Sequence, residues 1–282
     1  MTEKKNSNLI FAYLILIIII LTIVCILASL CLLVVKIANR DPTEPDKVQS
    51  LIQTEDPADE PTSLPTYDPI LKESADAGMA YIDQMIFFGE STTTHLRSRG
   101  VLSGGAETHQ VWADSSGTKT LSSKLLSETL VYPPTGENLT LAAALEKEQP
   151  SYLVLSFGLN NIVHFVNNKQ NYVNNYNKLI DAVKKASPNT RIILQSVYPV
   201  SAACDDFSAD GATICSYTEI LNGWIREIAS THENVKFADT ASMLKASDGT
   251  LLPACDNGDG VHLTAQAYQQ ILQYLRTHAW QN

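Results

Sequence analysis

The chain has 282 residues, 45% of them hydrophobic, and a formal net charge of -10 at pH 7. An acidic chain repels phosphate backbones, and no cluster of Lys and Arg offers a basic stripe, so the sequence argues against a nucleic-acid partner. The five cysteines include no Cys-x-x-Cys pair, which argues against a structural zinc site.

A long apolar run lies near the start of the sequence. No charged side chain occurs from Leu9 to Val35, and a helix of about 27 residues is roughly 40 Å long, enough to cross a bilayer. A cleaved signal peptide is the alternative, but its apolar region usually has only about 7–15 residues. We predict a short cytoplasmic tail at residues 1–8 and a transmembrane helix at residues 9–35. The short tail and the acidic segment after the span favour an extracytoplasmic location for the rest of the chain.

Residues 36–76 are rich in Pro, Asp, Glu, Thr and Ser and poor in aromatic residues. A segment of this composition buries too little apolar surface to fold, so we predict a disordered acidic linker. Residues 77–282 are numerous enough to form one domain with its own core.

Short apolar runs alternate with helical patterns in this domain. The runs rich in branched and aromatic residues are at 85–88, 109–113, 152–157, 191–199 and 235–239. Apolar residues spaced by three and four predict helices at 171–186, 216–230 and 264–280. A Ser-x-x-Glu capping box at Ser216 and Glu219 is predicted to begin the second of these helices. Continuously apolar strands separated by helices predict an α/β fold, a three-layer α/β/α sandwich around a parallel sheet.

Ser91 directly follows the first predicted strand, in the sequence Gly89-Glu90-Ser91. Ligands of open α/β sheets bind at the carboxyl ends of the strands. Gly89 lets the backbone turn sharply there, and the dipole of a helix starting at Ser91 would favour an attacking oxygen as an anion. A turn with an N-cap serine is the structural alternative.

Two further loops carry groups that a nucleophilic serine needs. Asp259 and His262 stand three residues apart before the last predicted helix, where the carboxylate can hold one ring nitrogen while the other faces a hydroxyl. Asn160 follows the strand at 152–157, and its amide can donate to an oxyanion. A plain helix entrance and an Asx turn are the respective alternatives.

A backbone donor for the same oxyanion is predicted at Gly117, in the sequence VWADSSGTKTL. The missing side chain lets its N–H approach a substrate oxygen closely. Gly104 and Gly105 are alternatives for this role.

In order and spacing, these segments resemble the four sequence blocks of the SGNH/GDSL hydrolases. The blocks are Gly89-Glu90-Ser91, the Gly after the second strand, Gly158-Leu159-Asn160-Asn161 and Asp259-Gly260-Val261-His262. The resemblance covers the chain from roughly residue 77 onward. It implies a flavodoxin-like parallel sheet and a serine esterase that needs no metal or other cofactor. Glu90 and Asn161 stand where the family usually has Asp, and neither position makes or breaks bonds.

The resemblance also implies a role for each site residue. Ser91 is implied as the nucleophile, His262 as its base and Asp259 as the acid that orients the base. The Ser91 N–H, the Gly117 N–H and the Asn160 amide are implied as the oxyanion hole. His95, one helical turn after Ser91, is interpreted as a solvent-side histidine rather than a second base.

The expected function is hydrolysis of an acyl ester, most plausibly acetyl, on a carbohydrate or cell-envelope substrate outside the cytoplasm. An O-acetyltransferase with the same three residues is one alternative, and a non-catalytic surface-binding module is another. Cys204, Cys215 and Cys255 allow one disulfide in an exported protein, and three unpaired thiols are equally compatible with the sequence.

Overall fold

The computed structural model describes residues 68–114, 116–205 and 213–281. The predicted tail at residues 1–8, the predicted transmembrane helix at residues 9–35 and the predicted linker up to residue 67 lie outside these ranges. Within the described ranges, no helix is both long enough and apolar enough to cross a membrane.

Five parallel strands form the central sheet. In chain order the strands of the described residues are β1 (Met85–Gly89), β2 (Val111–Trp112), β3 (Thr129–Tyr132), β4 (Glu137–Thr140), β5 (Tyr152–Ser156), β6 (Arg191–Gln195) and β7 (Val235–Ala238). The sheet has the order β2-β1-β5-β6-β7, and every neighbouring pair is parallel. β3 and β4 form a separate antiparallel hairpin. Because β1 lies between β2 and β5, the strand order reverses at β1, and a crevice is expected at its carboxyl end.

Helices cover both faces of this sheet. In chain order they are α1 (Met79–Ile82), α2 (Ser91–Ser98), α3 (Leu141–Glu148), α4 (Ile162–Val166), α5 (Lys169–Ala186), α6 (Ile214–Ser230) and α7 (Ala265–Thr277). Side chains of β1 alternate between two hydrophobic clusters. Phe88 packs in the cluster that contains Tyr176 of α5 and Ile225 of α6, whereas Phe87 packs in the cluster that contains Tyr268 of α7. The predicted α/β fold with a parallel central sheet is confirmed.

Residues 68–71 lie against β7 at the edge of the sheet. The Leu71 N–H donates to the Phe237 carbonyl oxygen (2.9 Å), and the Phe237 N–H donates to the Pro69 carbonyl oxygen (2.6 Å). The Leu71 side chain is buried. The end of the segment that composition assigned to the linker therefore contacts the domain, because it carries an apolar side chain that reaches the core.

Helix α6 begins two residues earlier than predicted. Its N-cap is Thr213, whose side chain accepts from the Ser216 N–H (3.1 Å) while the Ser216 Oγ accepts from the Thr213 N–H (3.1 Å). The predicted capping box at Ser216 and Glu219 is wrong, because Ser216 is the third residue of the helix and not its cap. Glu219 instead forms an ion pair with Lys245.

The three cysteines of the described domain are free thiols. Cys215 and Cys255 are buried, and burial raises the pKa of the Cys215 thiol to about 11. Of the two alternatives that the sequence left open, the structure shows the unpaired thiols.

Candidate active site

Ser91 begins helix α2 directly after β1. Its N–H lies at the first helical position, where a backbone N–H has no acceptor within its own helix. Gly89, the last residue of β1, is in close contact with β5. A Cβ at this position would collide with the Ser156 carbonyl oxygen and the Thr93 hydroxyl. Glycine is therefore needed for the turn from the strand into the helix that carries Ser91.

A short loop before α7 holds Asp259 and His262. Asp256 Oδ1 accepts from the N–H groups of Gly258 (2.8 Å) and Gly260 (2.9 Å), which fixes the first half of the loop. Gly260 has a φ of 80°, and a Cβ there would collide with the loop that follows β6. The position of the loop therefore depends on a glycine at residue 260.

The structure brings Ser91, His262 and Asp259 into hydrogen-bond contact. His262 Nε2 lies 2.8 Å from Ser91 Oγ, and His262 Nδ1 lies 2.8 Å from Asp259 Oδ2. The other carboxylate oxygen, Oδ1, accepts from the backbone N–H groups of Val261 (2.9 Å) and His262 (2.8 Å). Two loops that lie far apart in the sequence thus meet at the carboxyl end of β1.

The charge of Asp259 decides which ring nitrogen of His262 carries the proton. Burial raises the pKa of Asp259, but hydrogen bonds from the N–H groups of His262 and Val261 and from the His262 ring lower it by more, so the net pKa lies below its ordinary value. Asp259 is therefore a carboxylate at neutral pH and can only accept. The neutral ring then has its proton on Nδ1, and Nε2 is left to accept from the Ser91 hydroxyl.

Asn160 lies in the loop after β5. Its Nδ2 lies 3.3 Å from Thr118 Oγ1 and 3.4 Å from the Lys119 carbonyl oxygen. Its backbone N–H donates to the carboxylate of Glu90. Both ends of Asn160 are therefore held in place, the backbone by the residue next to Ser91 and the amide by the loop that follows β2.

Glu90 is a site residue whose role the sequence did not show. It is 3% exposed, and its two carboxyl oxygens accept from three consecutive backbone N–H groups, those of Gly158 (2.9 Å), Leu159 (3.0 Å) and Asn160 (3.1 and 3.2 Å). Burial raises the pKa of Glu90 to about 8, and these hydrogen bonds limit the increase. The residue between β1 and the candidate nucleophile thus fixes the loop that carries the candidate oxyanion donor.

Gly117 lies beside the Ser91 helix, but its N–H is already bonded. That N–H donates to the Asp114 carbonyl oxygen (3.1 Å) within a turn, while the Gly117 carbonyl oxygen accepts from the Thr94 hydroxyl. Donation from Gly117 to a substrate oxygen would require the turn to open. The oxyanion role of Gly117 stays a prediction, and the N–H of Ser91 is the better placed backbone donor.

The loop that carries Gly117 is tied down by a buried lysine. Lys119 is 4% exposed, and its Nζ lies 3.1 Å from Asp114 Oδ2 and 3.2 Å from Glu128 Oε2. One ion pair joins Lys119 to the start of the loop after β2, and the other joins it to the residue before β3. They hold the two groups that contact the Asn160 amide.

His95 is half-buried and stacks on His262, which the sequence interpretation as a solvent-side histidine did not anticipate. The ring centroids are 4.1 Å apart, with 29° between the ring planes. Burial lowers the pKa of His95, and the neighbouring His262 and Arg99 lower it further. The only sequence signal for this contact is the four-residue spacing from Ser91, which places both side chains on one face of a helix.

The assembled groups are those of nucleophilic acyl transfer. They are a hydroxyl, an imidazole and a carboxylate in one hydrogen-bonded line, with a backbone N–H at the helix start. Asn160 adds a side-chain amide in a loop whose backbone is bonded to the residue next to Ser91. Such a line can move the proton of the hydroxyl to the imidazole while the oxygen attacks an acyl carbon. Within the described ranges, no group of three His, Cys, Asp or Glu side chains is placed to hold a metal ion.

Solved structures with related folds are hydrolases. A GDSL-like lipase from Bacteroides thetaiotaomicron is 16% identical, with a TM-score of 0.51 over 69% of this chain and 87% of that chain. A family 3 carbohydrate esterase from Clostridium thermocellum is 16% identical, with a TM-score of 0.43 over 68% and 93%. An acetylxylan esterase from Geobacillus stearothermophilus is 18% identical, with a TM-score of 0.39 over 75% and 98%. At 16% identity, the likeness to the GDSL-like lipase is one of fold.

The sequence itself identifies the family. No curated relative matches the chain. The model of the GDSL-like lipase/acylhydrolase family matches residues 87–270, a range that contains every candidate site residue described above. The resemblance seen in the four sequence blocks is confirmed. The chain belongs to the GDSL-like lipase/acylhydrolase family, and it is a serine carboxylic ester hydrolase.

Proposed function

We propose that the chain is an extracytoplasmic esterase that removes a short acyl group from a carbohydrate or cell-envelope substrate. Acetyl is the acyl group that we expect. Ser91 is the nucleophile, His262 the base and Asp259 the acid that orients the base. The observation that carries this assignment is the unbroken line of hydrogen bonds from Asp259 through His262 to Ser91.

The reaction follows from the geometry in two steps. His262 Nε2 takes the Ser91 proton while Oγ bonds to the acyl carbon, and the resulting oxyanion accepts from the Ser91 N–H. The Asn160 amide becomes a second donor when one of its N–H groups leaves Thr118 Oγ1 or the Lys119 carbonyl oxygen for the oxyanion. The C–O bond to the leaving alcohol then breaks, and His262 returns the proton to that alcohol. Water, deprotonated by the same ring, then attacks the acyl carbon of the acyl-enzyme. The bond from that carbon to Ser91 Oγ breaks, the ring returns the proton to Oγ, and the acid leaves.

The surroundings of Ser91 support a small acyl group on a polar carrier. The side chains of His262 and Asp259 are 23% and 47% exposed, so the base and the acid lie at an open surface. Within the described residues, the exposed large hydrophobic side chains are Val163 and Ile220. A long acyl chain would need an extended apolar surface to cover it, whereas an acetyl group on a sugar needs little.

The apolar run at residues 9–35 supports a membrane anchor. The acidic, proline-rich residues that follow it would serve as a tether between the anchor and the domain. An anchored esterase of this kind would act on polymers near the cell surface, and this supports a cell-envelope or environmental carbohydrate as substrate.

Substitution of Ser91 by alanine tests the nucleophile. Wild-type protein should hydrolyse a short-chain aryl ester and should be labelled covalently by a fluorophosphonate probe. Ser91→Ala should lose both, with kcat reduced by about a thousandfold or more, because removal of a nucleophile leaves only binding and oxyanion stabilisation. Ser98→Ala, on the same helix but exposed, is the matched control and should keep wild-type turnover.

Two results would contradict the proposal. Wild-type turnover in Ser91→Ala would show that another group attacks the ester. Absence of both labelling and turnover in the wild-type chain would support the alternative function, a non-catalytic surface-binding module. Addition of a sugar acceptor distinguishes the transferase, since a transferase would form more acylated sugar than free acid.

A further inference from the structure

Helix α2 presents two side chains to His262 and not one. Ser91 and His95 are four residues apart, so they lie on the same face of the helix. His262 contacts both of them, through the 2.8 Å hydrogen bond from Nε2 to Ser91 Oγ and through the ring stack on His95. Helix α2 therefore contacts the His262 ring in two ways: Ser91 bonds to a nitrogen at the ring edge, and His95 covers one ring face.

An imidazole needs such support because its outer torsion is soft. The χ2 angle of histidine has a broad minimum, unlike torsions between two tetrahedral carbons. Rotation about χ2 would move Nδ1 away from Asp259 and Nε2 away from Ser91 together. At a centroid distance of 4.1 Å and an angle of 29°, the His95 ring blocks rotation towards its side. The stack therefore restricts the torsion on which both hydrogen bonds depend.

The contact is made by the ring face of His95 and not by its nitrogens. Among the described residues, His95 Nδ1 is a buried polar atom without a hydrogen-bond partner. Burial, His262 and Arg99 lower the pKa of His95, and only Asp259 acts in the other direction. Arg99 of α2 and His262 and Asp259 of the loop before α7 are thus the charged or titratable groups that act on His95.

We propose that His95 is a positioning residue whose ring face holds the His262 imidazole in line between Ser91 and Asp259. The proposal rests on the proposed function, because it assigns His262 the role of base. It predicts that an aromatic ring at residue 95 is needed for fast chemistry and that the histidine nitrogens are not.

Three variants test the proposal with a short-chain aryl ester. His95→Ala should lower kcat by about tenfold or more and change KM by less than about twofold, because a misplaced base slows the chemical step and leaves binding intact. His95→Phe keeps a flat aromatic face and should retain kcat within about threefold of wild type. His109→Ala, the same substitution at an exposed histidine before β2, should have wild-type kinetics.

A second readout does not depend on turnover. Proton NMR of the His262 Nδ1–H, which is shared with Asp259, should show one sharp downfield signal in wild type and in His95→Phe. In His95→Ala the signal should broaden or vanish, because the ring then samples several orientations. Circular dichroism should show all variants folded.

The outcomes separate this proposal from the proposed function. An inactive and unlabelled wild type would contradict the esterase assignment, and the NMR signal would still report whether His95 holds the ring. Wild-type kcat in His95→Ala, or equal losses in His95→Ala and His95→Phe, would overturn the role of the ring face.

Discussion

Glu90 couples the proposed nucleophile to the loop of the proposed oxyanion donor through a buried carboxyl group. Its neighbour in the chain is Ser91, and its oxygens accept from the N–H groups of Gly158, Leu159 and Asn160. The ordinary pKa of 4.5 is raised to about 8 by burial. In the unfolded chain the group ionises near its ordinary pKa, so between these two values the folded state binds more protons than the unfolded state. Its contribution to stability therefore falls as pH rises through this range.

Glu90→Gln makes this dependence measurable. Glutamine does not titrate, so the difference in unfolding free energy between wild type and Glu90→Gln isolates the carboxyl group. As the pH rises from about 5 to about 8, we expect wild type to lose about 1 kcal/mol of unfolding free energy per pH unit relative to Glu90→Gln. Urea unfolding at several pH values measures it. A difference that is constant with pH, or that shifts in favour of wild type, would contradict a raised pKa.

The residues of the site differ in how far the sequence could predict them. Ser91, Asp259 and His262 were predicted from short motifs, since Ser91 directly follows a strand, the other two precede a helix, and such segments meet at the carboxyl end of a parallel sheet. Glu90 was interpreted only as a replacement of the family's usual Asp. A sequence does not show that a carboxyl group is buried and accepts from three N–H groups. His95 was missed for a similar reason, since its partner ring is 167 positions away in the numbering.

The loop between β2 and β3 is the element that positions the Asn160 amide. Thr118 and Lys119 provide the two acceptors near Asn160 Nδ2, and the Lys119 side chain pairs with two carboxylates. The buried ammonium group of Lys119 links Asp114, at the start of the loop, to Glu128, at its end. Loss of this group should loosen the loop and, with it, the Asn160 amide that is proposed to stabilise the oxyanion.

Lys119→Met tests the loop. Methionine has a similar length and no charge, and we expect unfolding free energy to fall by about 2 kcal/mol, the scale of a hydrogen bond to a charged group. We expect kcat to fall at least about threefold with little change in KM, because the amide loses its fixed orientation. Lys147→Met removes an exposed ion pair with Glu137 and should cost less than about 1 kcal/mol. Equal kinetics in both variants would show that the loop does not position Asn160.

Elements with long, regular patterns were predicted well, and those defined by single contacts were not. Helix α5 was predicted at 171–186 and spans Lys169–Ala186, because its apolar face repeats over several turns. The start of α6 was misplaced, since Thr and Ser are both good N-cap residues, and only the structure shows that Thr213 and not Ser216 is the N-cap. The β3–β4 hairpin was not predicted, because each strand has only four residues and β4 has no buried side chain to give an apolar pattern.

At the scale of the whole molecule, the chain combines a catalytic domain with a predicted anchor. We expect the full chain to sediment with membranes and to be released by detergent but not by high salt, since burial of about 20 apolar residues resists ionic extraction. A chain that begins at residue 68 should remain in solution with unchanged kcat. Sedimentation with an aryl-ester assay of each fraction measures both. Release of the full chain by salt alone would contradict a spanning anchor.

The bond from His262 to Ser91 joins residues that are 171 positions apart. A ribosome makes the serine long before the histidine, so the growing chain carries a hydroxyl that no base has yet activated. Closing so long a loop also costs entropy, which makes this contact a late one during folding. If these residues act as proposed, the enzyme becomes able to hydrolyse esters only when the loop before α7 docks, and a partly made chain leaves any ester that it meets intact.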